Sequence, residues 1–431
     1  MKILNAEKLA VNQARRAVLA MAEAGLQAVD TRAATRASIK LEDNRLRVND
    51  QTYSLVGTKR IFLVGVGKCA IEAAAVLEEI LGPKLFDGIV LGIDDGETPK
   101  LKKIKVLLGT HPMPTEKNVA AAKAIVAMLD SLTENDLVII VVSGGGSTLL
   151  CLPEAGASCV EEGLVLKQLF RAGADIRDIN IIRKHLSLAR GGYLAKYAYP
   201  AQVISLIFSD VPGNDIEYIA SGPTVKDVTT VKDANAILVK YKILQACGLK
   251  HCGLVETPKE GKYFSRVQNI LFVTNRLALE AMVGQAKALG YQPTICTDSL
   301  TGEAREVGVR VAAELKDSAP KSVRLYGGET TVTIKGHGQG GRSQELALVA
   351  LHSIQPGEVI MAFASDGRDN TDAAGAICDT MIKERAARMG LDPNVFLENN
   401  DSYSFFEKTG GHIITGYTGS NVSDLLIALK E

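Results

Sequence analysis

The stretch 136–150, DLVIIVVSGGGSTLL, constrains the fold of this chain more than any other part of the sequence. Six apolar residues run without interruption over 137–142, and most of them are β-branched. A run of this kind is typical of a central parallel strand whose two faces are both covered by helices. The stretch therefore predicts an α/β fold with a buried strand at this position.

A glycine-rich loop follows this strand. Glycine tolerates positive φ and lets a ligand approach the backbone closely, so successive N–H groups can form a concave anion-binding nest. The segment from residue 147 could then open a helix whose first N–H groups and dipole favour an anion. A plain tight turn is the alternative. The residues predicted to bind phosphate or nucleotide are Ser143, Gly144, Gly145, Gly146 and Ser147.

Length and composition narrow the class of protein. A chain of 431 residues predicts at least two domains, because single cores stop growing near ~250–300 residues. Lys plus Arg and Asp plus Glu both number 49, so no basic excess indicates a nucleic-acid partner. No apolar run approaches the ~18 residues of a membrane span, and the charged N-terminus lacks a signal core. The chain is expected to be cytoplasmic, with no membrane partner.

The seven cysteines contain no C-x-x-C pair, which argues against a disulfide framework and a zinc site. Cys69 alone falls inside a candidate site, and we interpret it as a buried packing residue.

Alternating β and α patterns run along most of the chain and predict doubly wound α/β sheets. Strands are predicted at 61–66, 89–93, 106–108, 137–142, 203–208, from 271, at 294–297 and at 359–363, with a hairpin over 323–335. Helices are predicted at 4–29, after 68, at 116–130, 161–171, 181–197, 276–289, 303–317, 343–354 and 380–389. The polar stretch 247–268 marks the best boundary. We therefore predict two α/β domains, residues 1–245 and 246–431.

The first strand ends in Gly65-x-Gly67-x-x-Ala70, the outline of a dinucleotide-binding fingerprint. Asp94, after the next strand, could supply the acid of such a site, so an NAD(P)H-dependent reductase is a serious alternative. Lys68 lies inside the turn, however, where its ammonium group suits a bound phosphate or carboxylate. The alternative interpretation is that Lys68 is an ordinary lysine exposed on the surface.

Aspartates follow the strand at 203–208. Asp210 and Asp215 in SDVPGND could bind Mg²⁺ or accept a proton, or could simply cap turns. His111 and His185 could act as bases, but a lone loop histidine is more often a structural hydrogen-bonding group.

The C-terminal half contributes three further glycine-rich loops: GGET with Glu329, GQGGRSQE with Arg342, and GYTGSNVSD at 416–424. Arg342 falls where the glycine run becomes a helix, so a guanidinium and free N–H groups should meet one anion. Its alternative is an ion pair with Glu345 on the same helix. The acidic loop SDGRDNTD offers the hard oxygen ligands that Mg²⁺ prefers, although Asx turns explain each aspartate equally well. Its carboxylates are Asp366, Asp369 and Asp372.

Eight motifs in series resemble the glycerate 2-kinase family with a C-terminal MOFRL domain. They are VGVGKCA, THPMPTEKN, VSGGGSTLL, INIIRKHLSLARGGYLA, SDVPGNDIEYIASGPTVKD, GGETTVTIKGHGQGGRSQELAL, SDGRDNTDAAGA and TGYTGSNVSDL. The resemblance runs from about Arg60 to the C-terminus, and residues 225–268 carry little of it. The sequence departs from the family pattern at Asn214, Ser343, Arg368, Asn370 and Tyr417.

The resemblance implies ATP- and Mg²⁺-dependent phosphorylation of D-glycerate to 2-phosphoglycerate. It also implies two three-layer α/β domains, one Rossmann-like and one of the MOFRL type, with the active site in a cleft between them. Lys68 and Arg342 match the family's active-site positions, and with Asp210 they are the predicted catalytic residues. Asp210, Glu329 and Asp366 are the predicted metal ligands, and a homo-oligomer is possible.

Three functions remain in competition. A kinase must hold ATP phosphates and a small carboxylate together, and the several anion loops suit that need. A hydroxypyruvate reductase would leave the loops of the second domain unexplained. A regulator that binds a sugar acid would not need the aspartates. The sequence also shows no DNA-binding pattern through which such a regulator could act.

Overall fold

The computed structural model describes residues 1–93 and 99–431, which form two compact units. The N-terminal unit consists of Thr35–Ser209 and Asp215–Phe272. The C-terminal unit consists of Met1–Ala34, Asp210–Asn214 and Val273–Glu431. A six-stranded sheet flanked by helices is the main element of each unit, so the α/β prediction is confirmed.

The sheet of the N-terminal unit has the strand order of a Rossmann fold, 3-2-1-4-5-6 along the chain. Its first five strands in space pair in parallel. The order reverses between the first and fourth strands, which is where ligands bind in open sheets of this kind. In spatial order the strands are Ile104–Gly109, Leu85–Ile93, Arg60–Val66, Asp136–Val142, Gln202–Phe208 and Val267–Val273.

Helices and one small sheet complete the N-terminal unit. Its helices are Ala70–Leu81, Glu116–Leu129, Gly146–Leu149, Cys159–Arg171, Ile176–His185, Tyr193–Ala198, Val231–Lys240 and Ile243–Cys247. The helix Thr31–Ser38 contains the boundary between the units. An antiparallel sheet of Ile39–Glu42, Arg45–Val48 and Gln51–Ser54 lies in a region where we predicted neither a helix nor a strand.

The sheet of the C-terminal unit is mixed. In spatial order its strands are Gln292–Leu300, Ser322–Gly328, Asp424–Lys430, Glu358–Ala364, Gly375–Asp379 and His412–Ile413. The last strand in the chain, Asp424–Lys430, runs antiparallel to both of its neighbours. Its first residue therefore lies at the carboxyl ends of the two adjacent strands.

Helices of the C-terminal unit bury an apolar core that includes Phe405 and Phe406. These helices are Ala6–Leu9, Gln13–Ala28, Asn275–Ala288, Ala304–Lys316, Arg342–Ala350, Thr380–Arg388, Pro393–Glu398 and Ser402–Thr409. Of the helices among residues 1–93 and 99–431, none is both long and apolar enough to cross a membrane.

The compact units do not follow the predicted division at residues 245 and 246. The N-terminal helix Gln13–Ala28 belongs to the C-terminal unit, where Arg15 donates to both carboxylate oxygens of Asp379 at 2.7 and 2.8 Å. The strand Val267–Val273 closes the N-terminal sheet, although we had assigned all of it to the second domain. Both differences arise from long-range contacts that local periodicity does not contain.

Two predicted elements are wrong in detail. The hairpin over 323–335 is instead one strand, Ser322–Gly328, followed by irregular chain. The helix over 181–197 is two helices, because Gly191 and Gly192 adopt positive φ and donate to Ser221 and Gly222. The remaining predicted helices and strands are present with shifted ends, except that the N-terminal helix is broken before Gln13.

Candidate active site

In the N-terminal unit, the first and fourth strands of the sheet end side by side, and their loops interlock. The N–H of Lys68 donates to Gly144 O at 2.9 Å, and the N–H of Cys69 donates to Ser143 Oγ at 3.2 Å. Gly67 has φ +121°, and a Cβ there would lie 2.5 Å from Ser143 O. Only glycine permits this approach, so the GxGK turn and the SGGGS loop form one rigid element.

The SGGGS loop presents backbone donors. Among the described residues, no acceptor takes a hydrogen bond from the N–H groups of Gly144, Gly145 or Ser147. Gly145 adopts φ +84°, which suits a nest of N–H groups. The helix that follows, Gly146–Leu149, is a single turn. The predicted contribution of a helix dipole is therefore wrong, and the anion-binding capacity of the loop rests on its own N–H groups.

Two basic side chains lie beside Gly145. A Cβ on this residue would be 3.4 Å from Lys68 Cγ and 3.6 Å from His111 Cδ2. Partial desolvation lowers the pKa of His111, and the positive charges of Lys68 and Arg183 lower it further. The region is therefore electropositive. Cys69 is buried, in agreement with its interpretation as a packing residue.

In the C-terminal unit, sheet register assembles a cluster of charged side chains. Asp424 lies opposite Gly328 on one neighbouring strand and opposite Ala364 on the other. Because Glu329 and Asp366 come directly after those strands, their charges act on Asp424. The pKa of Asp424 is raised to about 6. Burial is the largest cause, Arg342 opposes it, and the charges of Glu329 and Asp366 act in the same direction as burial.

Arg342 is held by two of these carboxylates. Its Nε and Nη2 donate to Asp424 at 2.5 and 3.0 Å, and its Nη1 lies 2.6 Å from Glu329 Oε1. The side chain remains 32% exposed. An ion pair of Arg342 with Glu345 is absent from the described residues, and Glu345 instead pairs with Arg305 at 2.6 Å. Arg342 is thus fixed in place while part of it faces solvent.

The predicted free N–H groups at the start of the Arg342 helix are occupied. The carboxylate of Asp369 accepts from the N–H groups of Ser343 at 3.1 Å and Gln344 at 2.8 Å. Burial, followed by the charge of Asp424, raises the pKa of Asp369 to about 7. Asp369 therefore acts as a buried helix cap, which explains its place in the acidic loop without a metal.

Asp210 belongs to the C-terminal unit, beside the loop that leads into the last strand. Its Oδ2 accepts from Asn421 Nδ2 at 3.2 Å, and its carbonyl accepts from Ser423 Oγ at 2.7 Å. The same loop contacts Asp366, whose carbonyl accepts from the N–H of Thr418 at 3.2 Å. One segment thus positions Asp210, Asp366 and, through Asp424, Arg342.

The remaining candidates are accounted for by local structure. Asp215 is exposed and accepts from the N–H of Glu217 at 3.0 Å, as a turn former does. His185 is fully buried between Val255 O and Thr229 Oγ1, so its interpretation as a structural group fits. Asp372 is exposed. Asp94 lies outside the described residues.

The predicted metal ligands do not form a closed site. Within residues 1–93 and 99–431, no three His, Cys, Asp or Glu side chains are grouped as metal ligands. Glu329 is paired with Arg342, and Asp210 accepts a hydrogen bond from Asn421. Asp210 and Asp366 are nevertheless hard oxygen donors in one cluster, and Mg²⁺ in kinases takes only one or two carboxylates besides phosphate and water.

Comparisons with known proteins identify the family of the chain. The model of a domain of unknown function, DUF4147, matches residues 17–249, and the MOFRL family model matches residues 322–424. A glycerate 2-kinase of Pyrococcus horikoshii is 38% identical over 94% of both chains. A D-glycerate 2-kinase of Thermotoga maritima is 38% identical over 89% of this chain and 94% of its own.

The chain belongs to the glycerate 2-kinase family. A solved structure described as a glycerate kinase of Thermotoga maritima superposes with a TM-score of 0.85 at 34% identity, covering 96% of this chain and 99% of its own. A Pyrococcus horikoshii protein superposes with a TM-score of 0.84 at 35% identity, covering 97% and 99%. Two Agrobacterium vitis relatives, 38% and 35% identical over 85% of this chain, are named as hydroxypyruvate reductases, but only as conjecture.

The departures from the family pattern all lie in the C-terminal unit. Asn214 and Asn370 both adopt positive φ, which asparagine tolerates better than most residues. Ser343 supplies a backbone N–H to Asp369, a contact that any residue could make. Arg368 and Tyr417 are exposed, and nothing in the structure explains the choice of these side chains.

Proposed function

We propose that this chain transfers the γ-phosphoryl group of ATP to the 2-hydroxyl of D-glycerate, giving ADP and 2-phosphoglycerate. The proposal is supported by the named activities of its relatives and by anion-binding groups that a kinase needs. The predicted cleft between the domains, the homo-oligomer and the cytoplasmic location stay predictions.

One observation favours a kinase over the reductase alternative. A dinucleotide fingerprint binds pyrophosphate through the free N–H groups at the start of its helix. In this chain the N–H groups of Lys68, Cys69 and Ala70 already donate to Gly144 O, Ser143 Oγ and Gly67 O. The GxGK turn is therefore used to anchor the SGGGS loop, and these three N–H groups are not available to a dinucleotide pyrophosphate.

In the proposed reaction the N-terminal unit binds phosphate. The unused N–H groups of Gly144, Gly145 and Ser147 bind phosphate oxygens, and Lys68 neutralises part of their charge. Ser147 Oγ lies 3.0 Å from Ser221 Oγ, which holds its side chain in place. Phosphoryl transfer depends mainly on such positioning and charge neutralisation.

The C-terminal unit supplies the groups for the acceptor. Arg342, fixed by Asp424 and Glu329, binds the glycerate carboxylate with the N–H groups that these acids leave unused. The 2-hydroxyl oxygen forms a bond to the γ-phosphorus while the bond from that phosphorus to the bridging oxygen of ADP breaks. Asp210 accepts the hydroxyl proton, and Asn421 and Ser423 hold it in position.

Mg²⁺ would enter with ATP, with Asp366 and Asp210 as its protein carboxylates. When bound, it neutralises charge on the phosphate oxygens.

A direct assay tests the proposal. With ATP, Mg²⁺ and D-glycerate, the protein should release ADP, and omission of glycerate should abolish the release. Phosphorus NMR of the product should show the 2-phosphate; a 3-phosphate would place the chain in another class of kinase. Oxidation of NADH in the presence of hydroxypyruvate, without ADP release from ATP and glycerate, would establish the reductase instead. Binding of glycerate with neither activity would indicate a non-enzymatic role.

A further inference from the structure

Arg183 differs from the basic residues around it because, in the part of the chain that the structure describes, it forms no ion pair; its guanidinium carbon lies 5.9 Å from the centroid of the Phe170 ring. Its helix neighbour Lys184 lies 3.1 Å from both Asp227 and Glu217, and Arg190 pairs with Glu162 at 2.6 Å. Arg183 has no carboxylate within salt-bridge distance among the described residues. Its Nε is buried and has no hydrogen-bond partner. A buried donor without a partner is costly, so this guanidinium requires an explanation.

The nearby acid cannot supply the missing partner. One carboxylate oxygen of Glu162 accepts a hydrogen bond from Arg190 Nη2, and the other accepts from Cys151 Sγ at 3.1 Å. Arg190 also donates through Nη1 to the carbonyl of Arg183 at 3.0 Å. This network connects the helix Ile176–His185 to Cys151, a few residues after the SGGGS loop. It holds the backbone of Arg183 in place and leaves the Nε of its side chain without a hydrogen-bond partner among the described residues.

The positive charges of this region act on one another. Desolvation lowers the pKa of Arg183 to about 10, and the charge of Arg190 adds to the effect. Arg183 and Lys68 together lower the pKa of His111. Lys68 and His111 in turn both lie beside Gly145, in the loop whose N–H groups have no acceptor among the described residues. Glu162 opposes these cations only at Arg183, where its charge raises the pKa, so the region stays electropositive and favours an anion.

We propose that Arg183 and His111 complete, with Lys68 and the SGGGS loop, a pocket that binds one oxyanion of a substrate. The proposal rests on the proposed function, which supplies two such groups, a phosphate of ATP and the carboxylate of glycerate. Each presents a pair of oxygens that a guanidinium binds with two parallel hydrogen bonds. Arg183 is then a substrate-binding residue, and the unpaired Nε is its vacant donor.

The test compares Arg183→Gln and Arg183→Lys with Arg171→Gln. Arg171 is exposed at the end of the helix Cys159–Arg171 and serves as the matched control. We expect Arg183→Gln to raise KM for one substrate at least tenfold, and the substrate affected identifies the anion. Arg183→Lys keeps the charge but loses the planar fork, so it should recover only part of the loss. Arg171→Gln should stay within twofold of the wild type.

His111→Gln provides a second variant that does not threaten folding, because His111 is exposed. We expect it to raise the same KM about threefold. Calorimetric titration of the full chain with inorganic phosphate gives a readout independent of activity: the wild type should bind, and Arg183→Lys should bind more weakly. If Arg183→Lys and His111→Gln both match Arg171→Gln in kinetics and in phosphate binding, the inference is wrong. If the wild type binds phosphate through Arg183 but does not phosphorylate glycerate, the proposed function fails while the pocket stands.

Discussion

Replacement of Gly145 by alanine tests the SGGGS loop without a steric collision. Gly145 has φ +84°, a conformation that costs a residue with a Cβ about 1–2 kcal/mol. The added methyl group would lie 3.4 Å from Lys68 Cγ and 3.6 Å from His111 Cδ2, which are ordinary contact distances. The free energy of unfolding should therefore fall by the backbone cost alone, about 1–2 kcal/mol.

Gly57→Ala is the matched control for this substitution. Gly57 has nearly the same dihedral angle, φ +86°, and no atom lies within 4 Å of the position its Cβ would take. Both glycines belong to the N-terminal unit. Denaturant unfolding should give similar losses of stability for the two variants. A much larger loss for Gly145→Ala would contradict the open geometry of the loop.

The two variants should differ in activity. A methyl group on Gly145 covers the backbone surface by which the loop N–H groups approach a phosphate. We expect kcat/KM for ATP to fall at least tenfold in Gly145→Ala, about 1.4 kcal/mol of transition-state stabilisation, and to stay within twofold in Gly57→Ala. Equal activities in steady-state ADP release would refute the assignment of the loop to phosphate binding.

Three further substitutions test other parts of the molecule. Asp210→Asn keeps the shape but cannot accept the hydroxyl proton, so kcat should fall by about 10² or more; steady-state activity within threefold of the wild type would reduce Asp210 to a turn former. Arg342→Lys should raise KM for glycerate about tenfold with kcat little changed, whereas a fall in kcat would place Arg342 on the migrating phosphoryl group. The hydrogen bond from Arg60 holds the pKa of Asp136 at about 2, so this carboxylate stabilises the fold above its unfolded pKa near 3.8 and loses that effect as pH falls toward 2. Urea unfolding of Asp136→Asn should show a loss of roughly 1–2 kcal/mol at pH 7 that shrinks in acid, and a loss independent of pH would contradict the assigned pKa.

The sequence predicted the N-terminal sheet well because its information is local. The uninterrupted apolar run at 137–142 can only be buried on both faces, and it lies in the fully buried strand Asp136–Val142. The glycines of GxGK and SGGGS follow strands that neighbour each other at the reversal of strand order. Their role as loops at one edge therefore followed from strand ends alone. The hydrogen bonds between the two loops could not be predicted in this way, because they depend on the register of the two strands.

The C-terminal site was only half predicted. The sequence predicted roles for Arg342, Glu329 and Asp366 but not for Asp424. Arg342 donates two hydrogen bonds to the carboxylate of Asp424. In the sequence Asp424 is merely the end of a glycine-rich loop. Its importance comes from the strand Asp424–Lys430, which lies in the middle of the sheet. The one available signal was the apolar run LLIAL after Asp424, which is short but typical of a buried strand.

The two units differ in the sign of their local charge, and this difference limits what each can bind. In the N-terminal unit, neither Lys68 nor Arg183 forms an ion pair with a carboxylate of the described residues, so the region favours an anion. In the C-terminal unit, the positive charge of Arg342 is set against three carboxylates, those of Glu329, Asp366 and Asp424. An anion bound there must share the guanidinium with the acids already paired to it. Such a cluster favours a divalent cation carried by ATP, or a neutral hydroxyl, over a free phosphate. We therefore expect the phosphate chain of ATP to bind at the SGGGS loop, and Arg342 to orient the small carboxylate whose hydroxyl reacts.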